Sequence, residues 1–472
     1  MTRLAATPPP LMAWYGDDYT GSAAVMEVLA FAGIDAVLFL DPPTPADLDA
    51  FPGVRAVGIA GAARSHGPDW LRAELPTIFQ MLRGIGAEIT LYKVCSTLDS
   101  SRDVGSIGLA IDLALDQFPA TWIPVLIAAP PVGRWQAFGT LFARAGADIL
   151  RLDRHPVMAR HPVTPMTEAD VALHLGKQTG LAIGCLMLTD LATPDRADAA
   201  LAGLIDAGNR IITLDTVSTE DLAAAGRLIW NGRGGGGLTV GSQGVAYAII
   251  EHLRRAGDLL PCTGPVLTQP VDRIAVVCGS VSSTTADQIT WAAGHGFALV
   301  AFDPARVTDA LALEAEITRT TKVAVAAVTA GQSALVHTAR GGEDSRIPRY
   351  RAALAMAGLS APDGNARTGA ALGRVLAGIR AASGLRRYVI AGGDTSSHAA
   401  RALGLSALTA LAETVPGAAI CTGHMRDGST IEIALKGGQM GSPDYFGRVR
   451  NGGPAPDTLP HNSPNSVKDK TS

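Results

Sequence analysis

Acidic and hydroxyl side chains are concentrated where the first apolar run of the chain ends. The run Met12 to Tyr15 predicts a short buried strand, and Gly16-Asp17-Asp18-Tyr19-Thr20-Gly21-Ser22 follows it directly. Two adjacent carboxylates on a turn can supply a general base and a magnesium contact, and hydroxyls such as that of Thr20 can bind a polyol. The alternative is that one acid caps the next helix and its neighbour is solvated.

Glycines and hydroxyls form a second group of turns, in the later part of the chain. Gly392-Gly393-Asp394-Thr395-Ser396 lies between the apolar run Tyr388 to Ala391 and a helical pattern that includes Ala399. Glycines let backbone N–H groups approach an anion, and a helix N-terminus adds a partial positive charge of roughly half an elementary unit. This turn therefore suits a phosphate group, although simple helix capping by Asp394 or Thr395 is the alternative. Two similar turns follow predicted strands, at Gly279-Ser280-Val281-Ser282 and Gly437-Gly438-Gln439.

Three single side chains could hold an anionic substrate. Lys93 ends a predicted strand and could bind a carboxylate or phosphate as a point charge, whereas Arg134 offers a bidentate fork for a carboxylate. His161 precedes Thr164-Pro165-Met166 in a stretch that resembles a binding loop. Each has a simpler alternative: a solvated lysine, a surface ion pair and a structural histidine.

The composition favours a packed α/β protein and argues against several other classes. Apolar residues make up 47% and charged residues 17%, and the 53 glycines suit tightly packed layers. The net charge of −4 gives no basic surface for nucleic acid or an anionic membrane, and no apolar run reaches the ~18 residues of a membrane span. Five cysteines without a CxxC pair indicate neither a disulfide framework nor a structural zinc site. A reducing cytoplasm fits this cysteine pattern, and the N-terminus lacks the pattern of a secretory signal.

Short apolar runs alternate with longer alanine- and leucine-rich helical patterns, which is typical of βαβ units. We therefore predict an α/β fold of two domains, each a mostly parallel sheet flanked by helices, with the active site in the cleft between them. The pattern lapses between Leu260 and Arg273, where Pro261, Pro265 and Pro270 break both helix and strand. The predicted boundaries are 1–262 for the N-terminal domain, 271–450 for the C-terminal domain and 451–472 for a disordered tail.

The ends of the strands matter most, because ligands of open parallel sheets bind beyond the carboxyl ends of the strands. The predicted strands are Met12 to Tyr15, Ile34 to Leu40, Ala56 to Ile59, Ile89 to Lys93, Val125 to Ala129, Leu238 to Val240, Ile274 to Cys278, Ala298 to Phe302, Val323 to Thr329, Tyr388 to Ala391 and Glu432 to Lys436. A polar segment from Arg340 to Arg349 predicts an exposed loop.

Several familiar motifs are missing from the sequence. There is no GxxxxGK[ST], no GxSxG elbow follows a predicted strand, and the GxGxxG within Gly232 to Gly237 precedes its strand instead of following it. Three phosphate-type turns in the second half and an acid- and hydroxyl-rich set in the first half remain. This arrangement predicts a small-molecule kinase, because phosphoryl transfer needs mainly positioning and charge stabilisation.

The order of these motifs resembles the four-carbon acid sugar kinase family, whose members phosphorylate threonate, erythronate or 3-oxo-tetronate with ATP. The resemblance extends through nearly the whole chain. The matching positions are Gly16 to Gly21, Tyr92-Lys93, Ser96-Thr97-Leu98, Gly133-Arg134, His161-Pro162, Thr164 to Met166, Gly241-Ser242, Gly279 to Ser282, Thr285, Gln288, Gly392 to Ser396, Pro416-Gly417 and Leu435 to Gly438.

The resemblance implies that the first domain binds the sugar acid and the second binds ATP, expected as its Mg²⁺ complex. It places Asp17 and Asp18 beside the substrate, one of them as the base for the attacking hydroxyl, and leaves open which one. The implied substrate contacts are Thr20, Lys93, Ser96, Thr97, Arg134 and His161. The implied nucleotide contacts are Ser280, Ser282, Gly392, Gly393, Asp394, Thr395 and Gly438. No metal ligand of the chain is identified.

The sequence departs from the family in one segment. Members usually have aspartate-Ser-Thr-Leu-Arg-Gly after the lysine, whereas this chain has Cys95-Ser96-Thr97-Leu98-Asp99-Ser100. The loss of a cation and the gain of Asp99 should alter substrate choice, unless Arg102 takes the place of the missing arginine. We therefore favour a related acid, such as the branched 3-oxo-isoapionate, over threonate.

Two other functions would share this fold. A NAD-linked sugar-acid dehydrogenase or a non-catalytic sugar-acid sensor is compatible with the composition, but neither predicts three phosphate-type turns. The expected partners are a small sugar acid and ATP, without nucleic acid or membrane. Homo-oligomerisation stays open.

Overall fold

The computed structural model describes residues 9–161, 163–234, 236–262, 264 and 266–453. Pro162, Pro265 and nearly all of the predicted tail, from residue 454 onward, lie outside the described residues. The strands within them are β1 Met12–Gly16, β2 Ala36–Phe39, β3 Ala56–Ala60, β4 Ile89–Lys93, β5 Ile123–Leu126, β6 Arg134–Ala137, β7 Thr140–Ala145, β8 Asp148–Arg151, β9 Ile183–Leu186, β10 Ile211–Leu214, β11 Leu238–Gly241, β12 Ala275–Cys278, β13 Phe297–Ala301, β14 Ser333–His337, β15 Arg387–Ala391, β16 Leu405–Ala412, β17 Ile420–Met425 and β18 Thr430–Lys436.

Helices alternate with these strands along most of the chain. They are α1 Tyr19–Phe31, α2 Pro45–Asp49, α3 Pro68–Ile85, α4 Ile107–Ala114, α5 Val171–Gly176, α6 Pro194–Asp206, α7 Thr219–Asn231, α8 Gly244–Ala256, α9 Ser283–Ala293, α10 Ala310–Thr329, α11 Arg346–Met356, α12 Ala361–Ser383, α13 Gly393–Leu403 and α14 Tyr445–Asn451. In the part of the chain that the structure describes, none of them is long and apolar enough to cross a membrane.

Fifteen strands form one continuous sheet, in the order β13-β14-β12-β15-β18-β17-β16-β2-β3-β1-β4-β11-β5-β10-β9. The strands from β2 to β9 in this order are parallel, and so are the strands from β13 to β18. These two parallel sets are called the N-half and the C-half below. The predicted two-part α/β fold with mostly parallel strands is confirmed, and the two parallel sets are joined in one sheet.

The two halves are joined edge to edge by an antiparallel ribbon. β17 pairs with β18 and with β16, and β16 pairs with β2 through Ala407↔Phe39 and Leu408↔Leu38. Three antiparallel steps reverse the direction of the C-half strands relative to the N-half strands. Six strand-to-strand steps separate β1 from β15, and at the usual twist they accumulate roughly 120–150° of rotation. This rotation turns the carboxyl ends of the two halves back toward the same side of the molecule.

Two local predictions in the C-half are wrong. Val323 to Thr329 is not a strand but the end of α10, where Thr320, Ala324 and Val328 are buried at the four-residue spacing of a helix face. The strand that follows is β14, farther along the chain. The segment Arg340 to Arg349 is only partly a loop, since α11 begins within it at Arg346.

A small second sheet was not predicted. β6, β7 and β8 form an antiparallel meander that follows the Pro130–Val132 turn. The buried Asp215 carboxylate, after β10, holds this meander to the main sheet by accepting hydrogen bonds from the N–H groups of Phe138 and Gly139. The meander therefore carries Arg134 in a fixed position at the carboxyl edge of the N-half.

Candidate functional site

Asp17 and Asp18 directly follow β1, and both carboxylates face the guanidinium of Arg64. Arg64 donates from Nε to Asp17 Oδ2 at 3.1 Å and from Nη2 to Asp17 Oδ1 at 2.6 Å. The same Nη2 lies 2.6 Å from Asp18 Oδ1. The Asp17 side chain is 2% exposed and the Asp18 side chain 24%. The Asp17 carboxylate is therefore buried in its ion pair with the guanidinium, and Asp18 is the carboxylate that a ligand can reach.

Asp18 also organises the start of α1. Its carboxylate accepts hydrogen bonds from the Thr20 hydroxyl at 2.6 Å and the Gly21 N–H at 3.2 Å, and Lys93 Nζ lies 3.5 Å away. A methyl group on Gly21 would overlap Lys93 Nζ, so glycine lets this buried lysine approach the acid. The alternative was that one acid caps the helix and the other is solvated. Asp18 does cap α1, but Asp17 is buried.

The surroundings shift the pKa values of the two acids in opposite directions. Burial raises the pKa of the Asp17 carboxyl, and the Arg64 guanidinium opposes this only in part. Burial also acts on Asp18, but Arg64 and Lys93 together hold the pKa of its carboxyl below the ordinary value. Asp18 is therefore ionised at neutral pH, the state that a proton acceptor needs.

Arg64 is a site residue that the sequence did not single out. It lies in a short 3₁₀ helix, Ala63–Ser65, that follows β3, and β3 pairs in parallel with β1. Its backbone N–H donates to the Asp17 carbonyl at 3.1 Å. Its position in the sequence could have indicated this role, because a cation shortly after β3 lies near the acids that follow the neighbouring strand β1.

The segment Cys95 to Asp99 lies beyond β4, beside the two acids. The Thr97 hydroxyl donates to Asp99 Oδ1 at 2.9 Å and lies 2.9 Å from Cys95 Sγ. Asp99 Oδ2 lies 3.9 Å from Arg64 Nη1. Among the described residues no ion pair or hydrogen bond joins the exposed Arg102 to Asp99, whose near cation is Arg64.

Arg134 reaches the same segment from the start of β6. Burial lowers the pKa of its guanidinium while Cys95 and Asp99 oppose that shift, so Arg134 lies within electrostatic reach of both. Its Nη1 donates to the Gly133 carbonyl at 2.8 Å, whereas Nε is buried and has no hydrogen-bond partner among the described residues. The surface ion pair considered as the alternative is not found there. Arg134 therefore keeps one donor that no described residue uses.

The remaining predicted substrate contacts fall into two groups. Half-buried Ser96 lies in the turn after β4, next to Thr97. His161 instead bonds within its own loop, where its Nδ1 accepts from the Thr164 N–H at 3.1 Å. Within the described ranges no hydrogen bond or ion pair joins His161 to Asp18 or Lys93, and its substrate role stays a prediction.

In the C-half, the turns after β12 and β15 contact each other directly. A methyl group on Gly279 would overlap Thr395 Oγ1, and one on Gly392 would lie 2.9 Å from that oxygen. Gly392 has φ of 127°, which favours glycine, and no described side chain caps the start of α13 there. The first N–H groups of α13, from Gly393 onward, are therefore open to an anion.

These two turns form one wall of a cavity of about 400 Å³. Ser280, Gly392, Gly393 and Thr395, four of the predicted nucleotide contacts, line that wall. The opposite wall comes from α11 and α12, which the sequence did not connect with the site. Its lining residues include Ile347, Tyr350, Leu354, Asn365 and Thr368. The glycine-rich wall suits phosphate oxygens, and the apolar and aromatic wall suits a planar base.

Gly438 joins this site through hydroxyl groups. Ser282 donates to the Gly438 carbonyl at 2.5 Å, and Thr285 donates to it at 2.9 Å. A methyl group on Gly438 would lie 2.6 Å from Ser280 Oγ. The structure thus brings all three glycine-rich turns of the C-half together.

The turn after β18 also approaches the N-half. A Cβ on Gly417 would lie 2.7 Å from Met440 Cε and 3.9 Å from the Ala24 Cβ of α1. One α-helical turn farther, the buried Glu27 carboxylate accepts from the N–H groups of Gly417 at 2.8 Å and Ala419 at 2.9 Å. Burial raises the pKa of Glu27 to about 7. The turns that carry Gly417 and Met440 therefore lie against α1 of the N-half.

No group of three or more His, Cys, Asp or Glu side chains that could hold a metal ion occurs in the described part of the chain.

Two family models match the chain, one in each half. Residues 12–249 match a sugar-binding N-terminal domain, and residues 275–446 match a nucleotide-binding C-terminal domain. Together these matches cover most of the chain.

Curated relatives match over nearly their full length. The chain is 43% identical to 3-oxo-isoapionate kinase of Paraburkholderia graminis, covering 94% of both chains. It is 30% identical to 3-oxo-tetronate kinase of Pseudomonas fluorescens, over 94% of this chain and 97% of that one. It is 31% identical to 3-oxo-tetronate kinase of Cupriavidus necator, over 93% and 96%.

Solved structures share the fold. A Salmonella typhimurium protein superposes with a TM-score of 0.73 at 22% identity, covering 92% of this chain and 97% of that chain. A Haemophilus influenzae protein gives 0.69 at 21% identity, over 92% and 98%. With the two family models and the 43% identical relative, the resemblance found in the sequence is confirmed: the chain belongs to the four-carbon acid sugar kinase family.

Proposed function

We propose that this chain is an ATP-dependent kinase that phosphorylates a terminal hydroxyl of a small sugar acid, and that a branched acid such as 3-oxo-isoapionate is its preferred substrate. The observation that carries the substrate class is the 43% identity to a 3-oxo-isoapionate kinase, against 30% and 31% to 3-oxo-tetronate kinases. The Cys95 to Asp99 segment, where the sequence leaves the usual family pattern, supports the same choice.

In this proposal the sugar acid binds in the N-half. Its carboxylate pairs with the free Nε of Arg134, and Lys93 supplies a second cation nearby. Thr20, Ser96 and Thr97 contact its hydroxyls.

Asp18, the more exposed acid, is the base. The substrate hydroxyl oxygen attacks the γ-phosphorus of ATP, the bond to the bridging oxygen breaks, and ADP leaves. The hydroxyl proton passes to the Asp18 carboxylate. Arg64, held by Asp17, fixes the orientation of Asp18.

ATP binds in the C-half in this proposal. Its phosphates contact the turns that carry Ser280, Ser282, Gly438 and the Gly392–Thr395 segment, and its base lies against α11 and α12. The Mg²⁺ ion that accompanies ATP stabilises negative charge on the phosphates when bound. The domain boundaries 1–262 and 271–450, the disordered tail, a cytoplasmic location and homo-oligomerisation stay predictions.

A substrate panel tests the proposal. Purified protein is assayed for ADP release from ATP with 3-oxo-isoapionate, 3-oxo-tetronate, threonate and erythronate. We expect the highest kcat/KM with 3-oxo-isoapionate, and inactivity with all four acids would contradict the kinase proposal. A parallel assay with NAD and no ATP addresses the dehydrogenase alternative, for which an absorbance change of the nicotinamide is required.

A further inference from the structure

Lys436 is a buried cation that has no role in the proposed phosphoryl transfer. It is the last residue of β18, and its side chain has no solvent exposure. Its Nζ donates to Thr285 Oγ1 at 3.2 Å and to the Gly437 carbonyl at 3.0 Å, and it lies 3.5 Å from the Gly438 carbonyl. No described carboxylate forms an ion pair with it. An ammonium group in this position is costly unless an anion lies nearby.

The contacts of Lys436 fix the direction of two peptide groups. In a trans peptide the C=O and the next N–H point in opposite directions, and the described residues contain no cis peptide bond. Because the carbonyls of Gly437 and Gly438 point toward Nζ, the N–H groups of Gly438 and Gln439 point away from it. Neither N–H donates to an acceptor among the described residues. Two successive N–H groups that point the same way form an anion-binding concavity.

This concavity lies beside the candidate phosphate site. Gly438 faces Ser280, which lines the cavity of the C-half, and Thr285 bonds to both Ser280 Oγ and the Gly438 carbonyl. Lys436 and Ser280 therefore share one hydrogen-bond network through Thr285. A movement of the Lys436 ammonium would disturb the turns after β12 and β18 at once.

We propose that Lys436 is a positioning residue for the nucleotide: it holds the Gly437 to Gln439 turn so that two backbone N–H groups face the polyphosphate, whose negative charge offsets the buried ammonium. This inference rests on the proposed nucleotide site of the C-half. A role in folding alone would need the hydrogen bonds but not the charge.

The first test separates nucleotide binding from sugar-acid binding. Lys436→Met keeps the stem and removes the ammonium, and Lys322→Met removes an exposed lysine of α10 as the matched control. For K436M we expect ADP affinity, measured by calorimetry, to fall roughly 10- to 100-fold, the size of a lost charged hydrogen bond. The KM for ATP should rise similarly while the KM for the sugar acid stays within about twofold. K322M should match the wild type.

Fold integrity is checked on the same proteins by thermal unfolding without ligand. The Tm of K436M should not fall, because the substitution also removes the cost of burying an ammonium group that has no carboxylate partner. A K436M protein with wild-type Tm and wild-type ADP affinity overturns the inference but leaves the kinase proposal intact. Absence of ADP binding to the wild type overturns both.

The second test follows the charge itself. Burial lowers the pKa of Lys436 to about 8, so near pH 8 part of the population is neutral and ADP binding should draw a proton onto it. The titratable groups that face Lys436 are the Cys278 thiol and the Tyr445 phenol. Burial raises the pKa of both, to about 11 for Cys278, so both stay neutral. The phosphates of ADP, with a second pKa near ~6, are already ionised.

We therefore expect fractional proton uptake when ADP binds to the wild type at pH 8, measured as a dependence of the binding heat on the ionisation enthalpy of the buffer. K322M should show the same uptake. K436M, examined at ADP concentrations that saturate it, should show none. Equal uptake by the wild type and K436M would assign the proton to another group and overturn the inference.

Discussion

The two halves of this molecule handle negative charge by different means. In the N-half, charged side chains balance the negative charge. Arg64 lies 2.6 Å from both Asp17 and Asp18, and Lys93 lies 3.5 Å from Asp18. In the C-half, glycine-rich turns present backbone N–H groups and hydroxyls, and the cation Lys436 lies beneath them.

The difference follows from the ligand each half would hold. A small sugar acid has one carboxylate and one reacting hydroxyl, so a few charged side chains must lie at defined positions around these two groups. A polyphosphate has many oxygens along its length, and repeated N–H groups can contact them all. The N-half site should therefore be sensitive to single changes of charge, and the C-half site to changes of backbone shape.

The largest expected effect comes from the acids. Asp18→Asn should lower kcat by roughly 10²- to 10⁴-fold, because a general base is lost, and Asp17→Asn should also abolish most turnover by releasing Arg64. ADP affinity, measured by calorimetry, should stay close to that of the wild type in both. Asp47→Asn, which alters an exposed capping acid of α2, is the control. An unchanged rate in both variants would remove these acids from the mechanism.

The next effect tests a single charge in the N-half. Arg134→Met should raise the KM for the sugar acid roughly 10- to 100-fold, because the substrate carboxylate loses a charged donor. The KM for ATP should not change. Arg102→Met changes the exposed arginine near the Cys95 to Asp99 segment and should behave like the wild type. A larger rise in the KM for the sugar acid there than at Arg134 would assign the carboxylate contact to Arg102.

A matched pair of glycine substitutions compares the backbone of the two sites. Gly21→Ala would overlap Lys93 Nζ, and Gly279→Ala would overlap Thr395 Oγ1. Overpacking of this kind costs about 1–3 kcal/mol. We expect G21A to raise mainly the KM for the sugar acid and G279A mainly the KM for ATP. Gly84→Ala, which meets nothing within 4 Å, is the control; a swapped pattern would mean that the halves have been assigned to the wrong ligands.

The smallest effect concerns the contact between the halves. Burial raises the pKa of Glu27 from its usual 4.5 to about 7 in the folded chain, so the folded state binds the proton more tightly than the unfolded state. The resulting stability is complete below pH 4.5 and is lost as pH rises through about 7. The free energy of unfolding should fall by about 1–2 kcal/mol between pH 5.5 and 7.5, and this slope should be reduced in Glu27→Gln. An identical slope in both proteins would assign the titration to another group.

Much of the candidate site could be predicted because parallel strands bring their carboxyl ends to one edge. That rule is enough to find Asp17, Asp18 and Lys93, and the glycines that follow β12, β15 and β18. It gives no information on burial, so the sequence could not tell that Asp17 is covered by Arg64. Arg64 was also missed: it lies in a short 3₁₀ helix without a motif, and only its position after β3 indicates that it lies near the acids.

Other parts required tertiary context. Val323 to Thr329 carries the β-branched residues of a strand, but packing of one face places it in α10. The loop predicted for Arg340 to Arg349 likewise concealed the start of α11, and with it part of the cavity wall. The position of Arg134 depends on the β6–β8 meander, whose hold on the main sheet comes from Asp215, far away in sequence.

The pairing of β16 with β2 has a consequence for how the chain can be divided. β2 and β16 satisfy backbone hydrogen bonds with each other across this junction. Either half expressed alone would therefore expose an unpaired edge strand that promotes aggregation. Two separate polypeptides, divided between α8 and β12, should instead reassemble when produced together, since the ladder and the ion pairs of Asp41 with Arg401 and Arg426 remain available. The molecule is suited to fragment complementation, with catalytic activity as the signal of association.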